Sequence, residues 1–524
     1  MRPSRLPTRP APTAAPTASP VPRATRPAVA VLLALGLAAC GGSGGDPEPS
    51  AVRDEGVSPA QTVPTGSGPA TAAPAGSEDG PVAEGAADGP GVPLGAGGDG
   101  PPADEIAFLP RSDVRGLERL RPYRPDGPWA DVLARCALAE ELEDACPLGT
   151  LPFIAQATED PSVEDVMERV LVTHDWMGER LEEALRRAPP GLVRLFAPTT
   201  SIVVGSTVRP SFYTGRTGGV QLDPEYLWQS VGEKATVSIE EDYRSSFQSL
   251  LGFRDASAAR VGAAPAFEYF PLDDTAERTF EQAERPLLGL LFHELAHAND
   301  FLPPGTAGLV DPTLRPWEAL DANAGRWLSP RLQAEYPQAS TLLARLADVR
   351  YRGEDPTPEE AALDAATVGA EFAGDGATGF YSYLTVQEDF AELFETAMMK
   401  AVFDVDVHYA FTSLPADPDD YYCDELLVGW GAMRRLGDPA VALRAGRAVA
   451  AIYGESGAIE DFVARESGTA TPMTPGVDFC TNLEGGGATM AARSRDGARV
   501  RAPIEPMSDA ERHALVARRG GTAR

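Results

Sequence analysis

The feature that most constrains this chain is a pair of histidines four residues apart in a strongly apolar segment. His293 and His297 lie in Leu290-Leu-Phe-His293-Glu294-Leu-Ala-His297-Ala-Asn-Asp300. On a helix, positions i and i+4 share a face, so both imidazoles can direct a nitrogen at one ion. Zinc takes His nitrogens at about 2.0–2.1 Å, with three protein ligands in catalytic sites. Glu294 lies about 100° round the helix, where it can act as a general base without binding the metal. The segment therefore predicts a buried helix holding one zinc ion.

A third ligand must come from elsewhere in the chain, and an acidic helix provides the best candidate. Glu388 and Glu392 lie four residues apart in a predicted helix over 386–403, so their side chains share one face. Asp389 and Glu395 are further carboxylates in the same segment. Charged residues on helices commonly face solvent, and that alternative stays open at this point.

Together the two segments resemble the zincin metallopeptidases, and among them the gluzincins and, most closely, the lethal-factor-like zincins. The longer metzincin motif is absent, because no histidine follows His297 at the required spacing. The resemblance implies zinc-dependent hydrolysis of a peptide or protein, with Glu388 as the third ligand. It implies that Glu392 orients a zinc-bound imidazole. Asp300 is expected to orient a ligand too, in preference to binding the metal. The gap between His297 and Glu388 is longer than gluzincins usually have, so an insertion is expected.

The same resemblance implies an electrophile and a strand that binds substrate. Lethal-factor-like proteins carry a tyrosine seven residues before the ligand glutamate, which is Tyr381 here, with Tyr383 close by. Either hydroxyl is expected to donate to the developing oxyanion. Substrate in these proteins runs as an extra strand along an edge strand beside the metal helix. Ser201–Val208 is the candidate for that edge.

The N-terminus resembles a bacterial lipoprotein signal peptide. An arginine-rich start precedes an apolar run that is shorter than the roughly 20 residues needed to span a bilayer. The run ends in Leu37-Ala38-Ala39-Cys40, which is similar to a lipobox, so we expect a lipid on Cys40 and a membrane anchor. Gly41 follows where many inner-membrane lipoproteins carry aspartate, which favours the outer membrane of the cell envelope. A plain secretory signal is the alternative.

Composition divides the remainder of the chain. Residues 40–105 are rich in Gly, Pro and Ala and predict a disordered tether. Residues 106–270 are expected to form a strand-containing upper part, and 271–483 a helical lower part that carries both metal helices. Residues 484–524 are expected to form a loose tail.

The cysteines and the net charge restrict the compartment and the partners. Four cysteines besides Cys40 suit an oxidising compartment, and loop-closure entropy favours the pairs Cys136–Cys146 and Cys423–Cys480. The formal net charge of -32 argues against binding to nucleic acid, because the phosphates would be repelled.

The fold class predicted is α+β, predominantly helical, with a small mixed sheet and a zincin-like arrangement around the metal helix. Strands are expected at 192–196, 201–208 and 219–222. A capped helix is expected from about Ser162 to Arg187. After Thr275 helices are expected to dominate, at 286–301, 316–334, 339–351, 386–403, 424–436, 439–453 and 456–466.

Three other histidines are assigned structural places. His174 is expected on a helix as a buried partner of Asp175, and His408 and His513 are expected at the surface.

A second hypothesis comes from a different class of function. The chain would be a non-enzymatic envelope lipoprotein that keeps a zincin-like fold to bind a partner or cell-wall material. The fate of Glu294 distinguishes the two hypotheses, because only the enzyme needs a general base.

Overall fold

Two five-stranded sheets and a larger set of helices form the computed structural model of this protein. It describes residues 119–484, apart from 190, 239–249, 269, 271, 273–274, 417–420, 455–462 and 464–466. All of these belong to one compact unit. The expected signal peptide, Cys40, the tether, His513 and the tail beyond residue 484 lie outside the described residues.

The first sheet is mixed, as expected. Its strands are β1 (Arg121–Pro122), β2 (Val170–Val172), β3 (Ile202–Val204), β4 (Phe212–Thr214) and β5 (Gly219–Leu222), in the order β1-β2-β3-β5-β4. β2, β3 and β5 run parallel, and the outer strands β1 and β4 are antiparallel to their neighbours. β2 and β3 are fully buried, which suits their unbroken apolar sequences.

The second sheet was not predicted. It is antiparallel throughout, in the order β10-β9-β8-β6-β7, and consists of β6 (Phe253–Val261), β7 (Ala264–Pro265), β8 (Asp406–Ser413), β9 (Val428–Met433) and β10 (Thr471–Pro472). β6 pairs with β8 over eight residue positions. The boundary expected at residue 270 therefore does not separate the strands from the helical part.

Helices cover both parts of the chain. The α-helices are α1 (Ala130–Ala137), α2 (Ile154–Ala157), α3 (Val163–Met167), α4 (Asp175–Arg187), α5 (Val231–Lys234), α6 (Phe280–Phe301), α7 (Pro316–Ala322), α8 (Leu328–Glu335), α9 (Thr341–Arg352), α10 (Pro358–Ala361), α11 (Ala365–Phe372), α12 (Val386–Phe403), α13 (Pro439–Tyr453) and α14 (Phe479–Leu483). Short 3-10 turns link several of them, including Val193–Phe196, Ala307–Leu309, Ala324–Arg326 and Tyr381–Tyr383. In the described part of the chain, no helix is both long and apolar enough to cross a membrane.

Several predicted elements differ in the structure. The single helix expected from Ser162 to Arg187 is divided into α3, strand β2 and α4, because Val170-Leu-Val172 pairs with β3 inside the first sheet. The strand expected at 192–196 is a 3-10 turn, and the helix expected at 424–436 is strand β9. The helix expected at 456–466 falls almost wholly outside the described residues.

Both disulfide pairs are confirmed. Cys136 is bonded to Cys146, with Cα atoms 5.2 Å apart, and Cys423 to Cys480, with Cα atoms 5.6 Å apart. The first lies in a small core with Leu133, Leu151 and Val203. It therefore joins α1 to the loop at Cys146, within a core that also contains residues of the first sheet.

The two helices expected to carry the metal lie side by side. α6 starts six residues before Pro286, because Thr279 and Gln282 form a capping box at its N-terminus. α12 has the predicted bounds and is capped by Thr385. Phe292 of α6 and Phe394 of α12 meet edge to face, with ring centroids 6.2 Å apart. This contact helps to set the position of the two helices relative to each other along their axes.

Candidate metal centre

Three buried side chains from α6 and α12 converge on one point. Nε2 of His293 lies 3.2 Å from Nε2 of His297 and 3.2 Å from Oε2 of Glu388. Nε2 of His297 lies 3.3 Å from the same Glu388 oxygen. The three residues are at most 2% exposed. Together they form a group that could hold a metal ion.

The spacing of the three ligand atoms fits a small tetrahedral ion. Ligands at about 2.0–2.1 Å from a tetrahedral centre lie roughly 3.3–3.4 Å from one another. The observed separations of 3.2, 3.2 and 3.3 Å are within about 0.2 Å of that value. Two imidazoles and one carboxylate suit zinc, and also other divalent ions of the first transition row.

Helix geometry places each ligand. His293 and His297 follow each other by one turn on α6, and their rings meet at 73° with centroids 4.9 Å apart. Glu388 lies in the first turn of α12, where its backbone N–H donates to Oγ1 of Thr385. A carboxylate is favoured at a helix N-terminus, where the backbone dipoles are positive.

Glu395, rather than Glu392, contacts a metal-site imidazole. Oε2 of Glu395 lies 3.2 Å from Nδ1 of His293. A carboxylate there keeps the proton on Nδ1 and leaves Nε2 as the ligand atom. Burial lowers the pKa of His293, but its contacts with Glu388 and Glu395 outweigh burial and raise the pKa well above its usual value.

The approach of Glu395 depends on Gly289. A Cβ at Gly289 would lie 3.3 Å from Oε1 of Glu395 and 3.5 Å from Sδ of Met399. The absence of a side chain on this turn of α6 therefore lets the carboxylate reach the imidazole one turn further on. Glu395 could be identified from the sequence as a nearby carboxylate, but its contact with His293 could not.

Glu392 has different partners from those predicted. Its Oε2 accepts hydrogen bonds from Oγ of Ser382, at 2.6 Å, and from Oγ1 of Thr378, at 2.9 Å. Burial raises the pKa of Glu392 to about 7, although both hydroxyls and the nearby His293 oppose the rise. Glu395, on the next turn of α12, therefore takes the role of orienting an imidazole that was expected of Glu392.

The candidate general base is held by the edge of the first sheet. Glu294 is fully buried, and its Oε2 accepts a hydrogen bond of 2.6 Å from the backbone N–H of Tyr213. Tyr213 lies in β4, the outermost strand of that sheet. The edge strand beside the metal helix is therefore β4. The expected edge, Ser201–Val208, contains β3, which lies between β2 and β5 inside the sheet.

The two predicted tyrosines have buried surroundings of their own. The hydroxyl of Tyr383 donates to Oδ2 of Asp375 at 3.0 Å, and burial together with that carboxylate raises the pKa of Tyr383 above its usual range. The Tyr381 ring meets Tyr351 edge to face at 5.0 Å within the core of the second sheet. Tyr213, which the sequence did not single out, is the tyrosine that lines the cavity beside His297 and Glu388.

Asp300 and Asp389 link the metal helices to neighbouring helices. Asp300 accepts hydrogen bonds from the backbone N–H and hydroxyl of Ser329, at 2.7 and 2.6 Å, so it ties the end of α6 to α8 instead of orienting an imidazole. Asp389 forms a buried ion pair with both terminal nitrogens of Arg444 on α13. Burial raises the pKa of Asp300 and of Asp389 to about 6 in each case.

The remaining described histidines lie elsewhere. His174 immediately precedes α4, and its Nδ1 lies 3.1 Å from Oγ1 of Thr173, while Asp175 pairs with Arg121. His408 is only 4% exposed, so the surface position expected for it is wrong. Its Nδ1 accepts a hydrogen bond of 3.0 Å from the Arg434 backbone N–H, because β8 lies inside a sheet that the sequence did not reveal.

A cavity of about 350 Å³ opens beside the ligands. His297 and Glu388 line it, and most of the other lining residues are apolar or aromatic; they include Tyr213, Phe301, Trp317, Leu320, Trp327 and Leu384. This size is within the range of about 300–1,000 Å³ for small-molecule sites.

Comparisons of the chain with protein-family models, with curated proteins and with solved structures found no match. Any functional conclusion therefore depends on the residues and geometry of the site.

Proposed function

We propose that this protein is a zinc-dependent metallopeptidase with a zincin-like fold, attached to the bacterial envelope through Cys40. The observation that carries the proposal is the triangle of His293, His297 and Glu388, whose ligand atoms are spaced for a tetrahedral ion beside an accessible cavity. Glu294 adjoins this triangle in the sequence of α6. Ligands, a carboxylate base and a cavity are what metal-assisted hydrolysis requires.

The neighbouring elements support the zincin-like comparison. The His-Glu-x-x-His helix α6 lies against the antiparallel edge strand β4, and the third ligand comes from a second helix. Among the described strands, β4 pairs only with β5, so an extended peptide can pair with its other edge through groups other than the Tyr213 N–H, which donates to Glu294. We infer that substrate binds there as an added strand.

The chemistry assigned to the chain's own residues is proton transfer and orientation. Bound zinc would lower the pKa of a water and polarise the scissile carbonyl. Glu294 takes a proton from the attacking water as the oxygen bonds to the carbonyl carbon. It then returns that proton to the amine nitrogen as the C–N bond breaks. The Tyr213 backbone N–H fixes one Glu294 oxygen, and Glu395 fixes the His293 ring.

The test separates metal binding from catalysis. In the full chain loaded with zinc, Glu294→Gln should retain one zinc ion and lose peptide cleavage, whereas His293→Ala should lose both. Glu281→Gln is the matched control, since Glu281 lies on the same helix but is exposed, and it should keep both properties.

Two results would overturn the proposal. Unchanged cleavage by the Glu294→Gln variant would reject the assigned base. Stoichiometric zinc with no hydrolysis of a broad peptide library would reject the peptidase and favour the non-enzymatic envelope protein that binds a partner or cell-wall material.

A further inference from the structure

The segment between the two metal helices provides one side of the cavity. Trp317 and Leu320 of α7, and Trp327 just before α8, lie in the long connection from α6 to α12. His297 and Glu388 line the same cavity. A group bound in this cavity would therefore contact both the metal ligands and the connection between α6 and α12, which is the inserted segment.

The aromatic walls present faces and edges rather than polar groups. Nε1 of Trp317 donates to the backbone oxygen of Leu142 at 3.1 Å, and Nε1 of Trp327 donates to that of Leu320 at 3.2 Å. Both indole N–H groups are thus satisfied within the protein. Phe301 packs edge to face on Trp327 with ring centroids 4.9 Å apart. These contacts hold the wall in shape before any ligand arrives, which lowers the ordering cost of binding.

The charges around the cavity do not favour an anionic occupant. Arg352 also lines the cavity, but its guanidinium is paired with Asp348 and donates to the Leu384 backbone oxygen at 3.3 Å. Asp321 is an exposed residue of the lining. A lysine or arginine side chain would lose its hydration against the apolar walls, which is costly. Transfer of an apolar side chain from water into the same cavity is favourable, because its apolar surface is removed from water.

We propose that this cavity selects a large apolar or aromatic side chain next to the scissile peptide bond, and that the inserted segment with Trp317, Leu320 and Trp327 sets that specificity. The identity of the occupant rests on the proposed peptidase function. The volume of about 350 Å³ would otherwise hold roughly ten waters at about 30 Å³ each, so one large side chain can fill much of it. Contact with His297 and Glu388 places that side chain beside the reacting bond.

Binding can be tested without hydrolysis. The full chain is titrated with N-acetyl amides of phenylalanine, leucine, alanine and lysine, and binding is followed by ligand-observed NMR. The phenylalanine and leucine amides should bind about tenfold or more tightly than the alanine and lysine amides. Trp327→Ala and Leu320→Ala should each remove most of this preference. Leu309→Ala is the control, because Leu309 lies in the same segment but is 86% exposed, and it should leave the preference intact.

The cleavage experiment keeps the two proposals distinguishable. In a peptide library, the wild-type protein should prefer large apolar residues at one position beside the cleaved bond, and Trp327→Ala should weaken that preference. Equal binding of the four amides would overturn the pocket assignment, even if peptides were cleaved. Selective binding without any cleavage would overturn the peptidase proposal and leave the pocket assigned.

Discussion

The backbone N–H of Tyr213 donates to Oε2 of Glu294 over 2.6 Å, so the edge strand and the proposed base are joined by a direct hydrogen bond. The donor belongs to the main chain, and its position is set by the pairing of β4 with β5. Any residue except proline at position 213 has the backbone N–H that this bond requires. The strand that is proposed to bind substrate therefore also fixes the group that is proposed to move the proton.

Removing the third ligand should weaken metal binding far more than removing its neighbour. Glu388→Ala deletes one of three ligand atoms, and the zinc affinity should fall by more than the 10- to 100-fold typical of an outer partner. Asp389→Asn should instead destabilise the fold by about 3–5 kcal/mol, because it leaves the buried Arg444 without its charge partner. Chelator competition and urea unfolding measure the two effects. A greater loss of zinc from Asp389→Asn would contradict the assignment.

The contact of Glu395 with His293 predicts an effect on metal affinity at a distance from the ion. Glu395→Ala removes the acceptor at Nδ1, so the tautomer and ring angle are no longer fixed, and the zinc affinity should fall about 10- to 100-fold. Glu392→Gln is the comparison, since its carboxylate accepts from Ser382 and Thr378, and it should have a much smaller effect. A larger loss of zinc affinity in Glu392→Gln than in Glu395→Ala would instead support Glu392 as the residue that orients the imidazole.

Tyr383→Phe should lower stability rather than catalysis. The variant loses the buried hydrogen bond to Asp375, which contributes about 1–3 kcal/mol when the acceptor is charged. The expected result is a reduced free energy of unfolding with kcat nearly unchanged. A drop in kcat of about 100-fold at unchanged stability would identify the hydroxyl as an oxyanion donor instead.

His408 predicts a loss of stability in mild acid. Burial lowers its pKa to about 4 from an ordinary 6.5, and nearby Arg260 and Arg434 add to the effect while Asp406 opposes it. Its Nδ1 must remain unprotonated to accept from the Arg434 N–H. The unfolded chain therefore binds a proton more readily, and stability is lost as the pH falls from about 6.5 to about 4. Urea unfolding at pH 7 and pH 5 should show a smaller loss in His408→Asn than in the wild type. Equal losses would contradict the shift.

Local sequence signals were sufficient for the metal helices. The bounds of α12 and the end of α6 follow from caps and apolar periodicity, and the histidine pair follows from residue type and spacing, whereas Glu388 was implied by the resemblance to the gluzincins. Loop length favoured the disulfide Cys136–Cys146, which left Cys423–Cys480 as the second pair. These features depend on residues that are near each other in the chain, or on chemistry with few alternatives.

Features that depend on distant pairing were missed. β6 and β8 pair across about 150 residues, and neither strand has a turn signal linking it to the other. Val170-Leu-Val172 continues the apolar pattern of a helix, yet it becomes a strand because β3 is available beside it. Whether Glu392 or Glu395 contacts the His293 imidazole depends on how closely α6 and α12 approach at Gly289. The spacing of residues within one helix cannot predict that distance.

The ligand triad also joins two parts of the chain that are far apart in the sequence. His297 and Glu388 belong to helices separated by five others, so an ion held between them would close a long loop much as a covalent cross-link does. Because the ion would bind the folded chain and not the unfolded one, it would stabilise the folded state by an amount that grows with the logarithm of the metal affinity. Under the proposed attachment to the envelope, metal loading after export would be a late step of maturation that locks the two helices together.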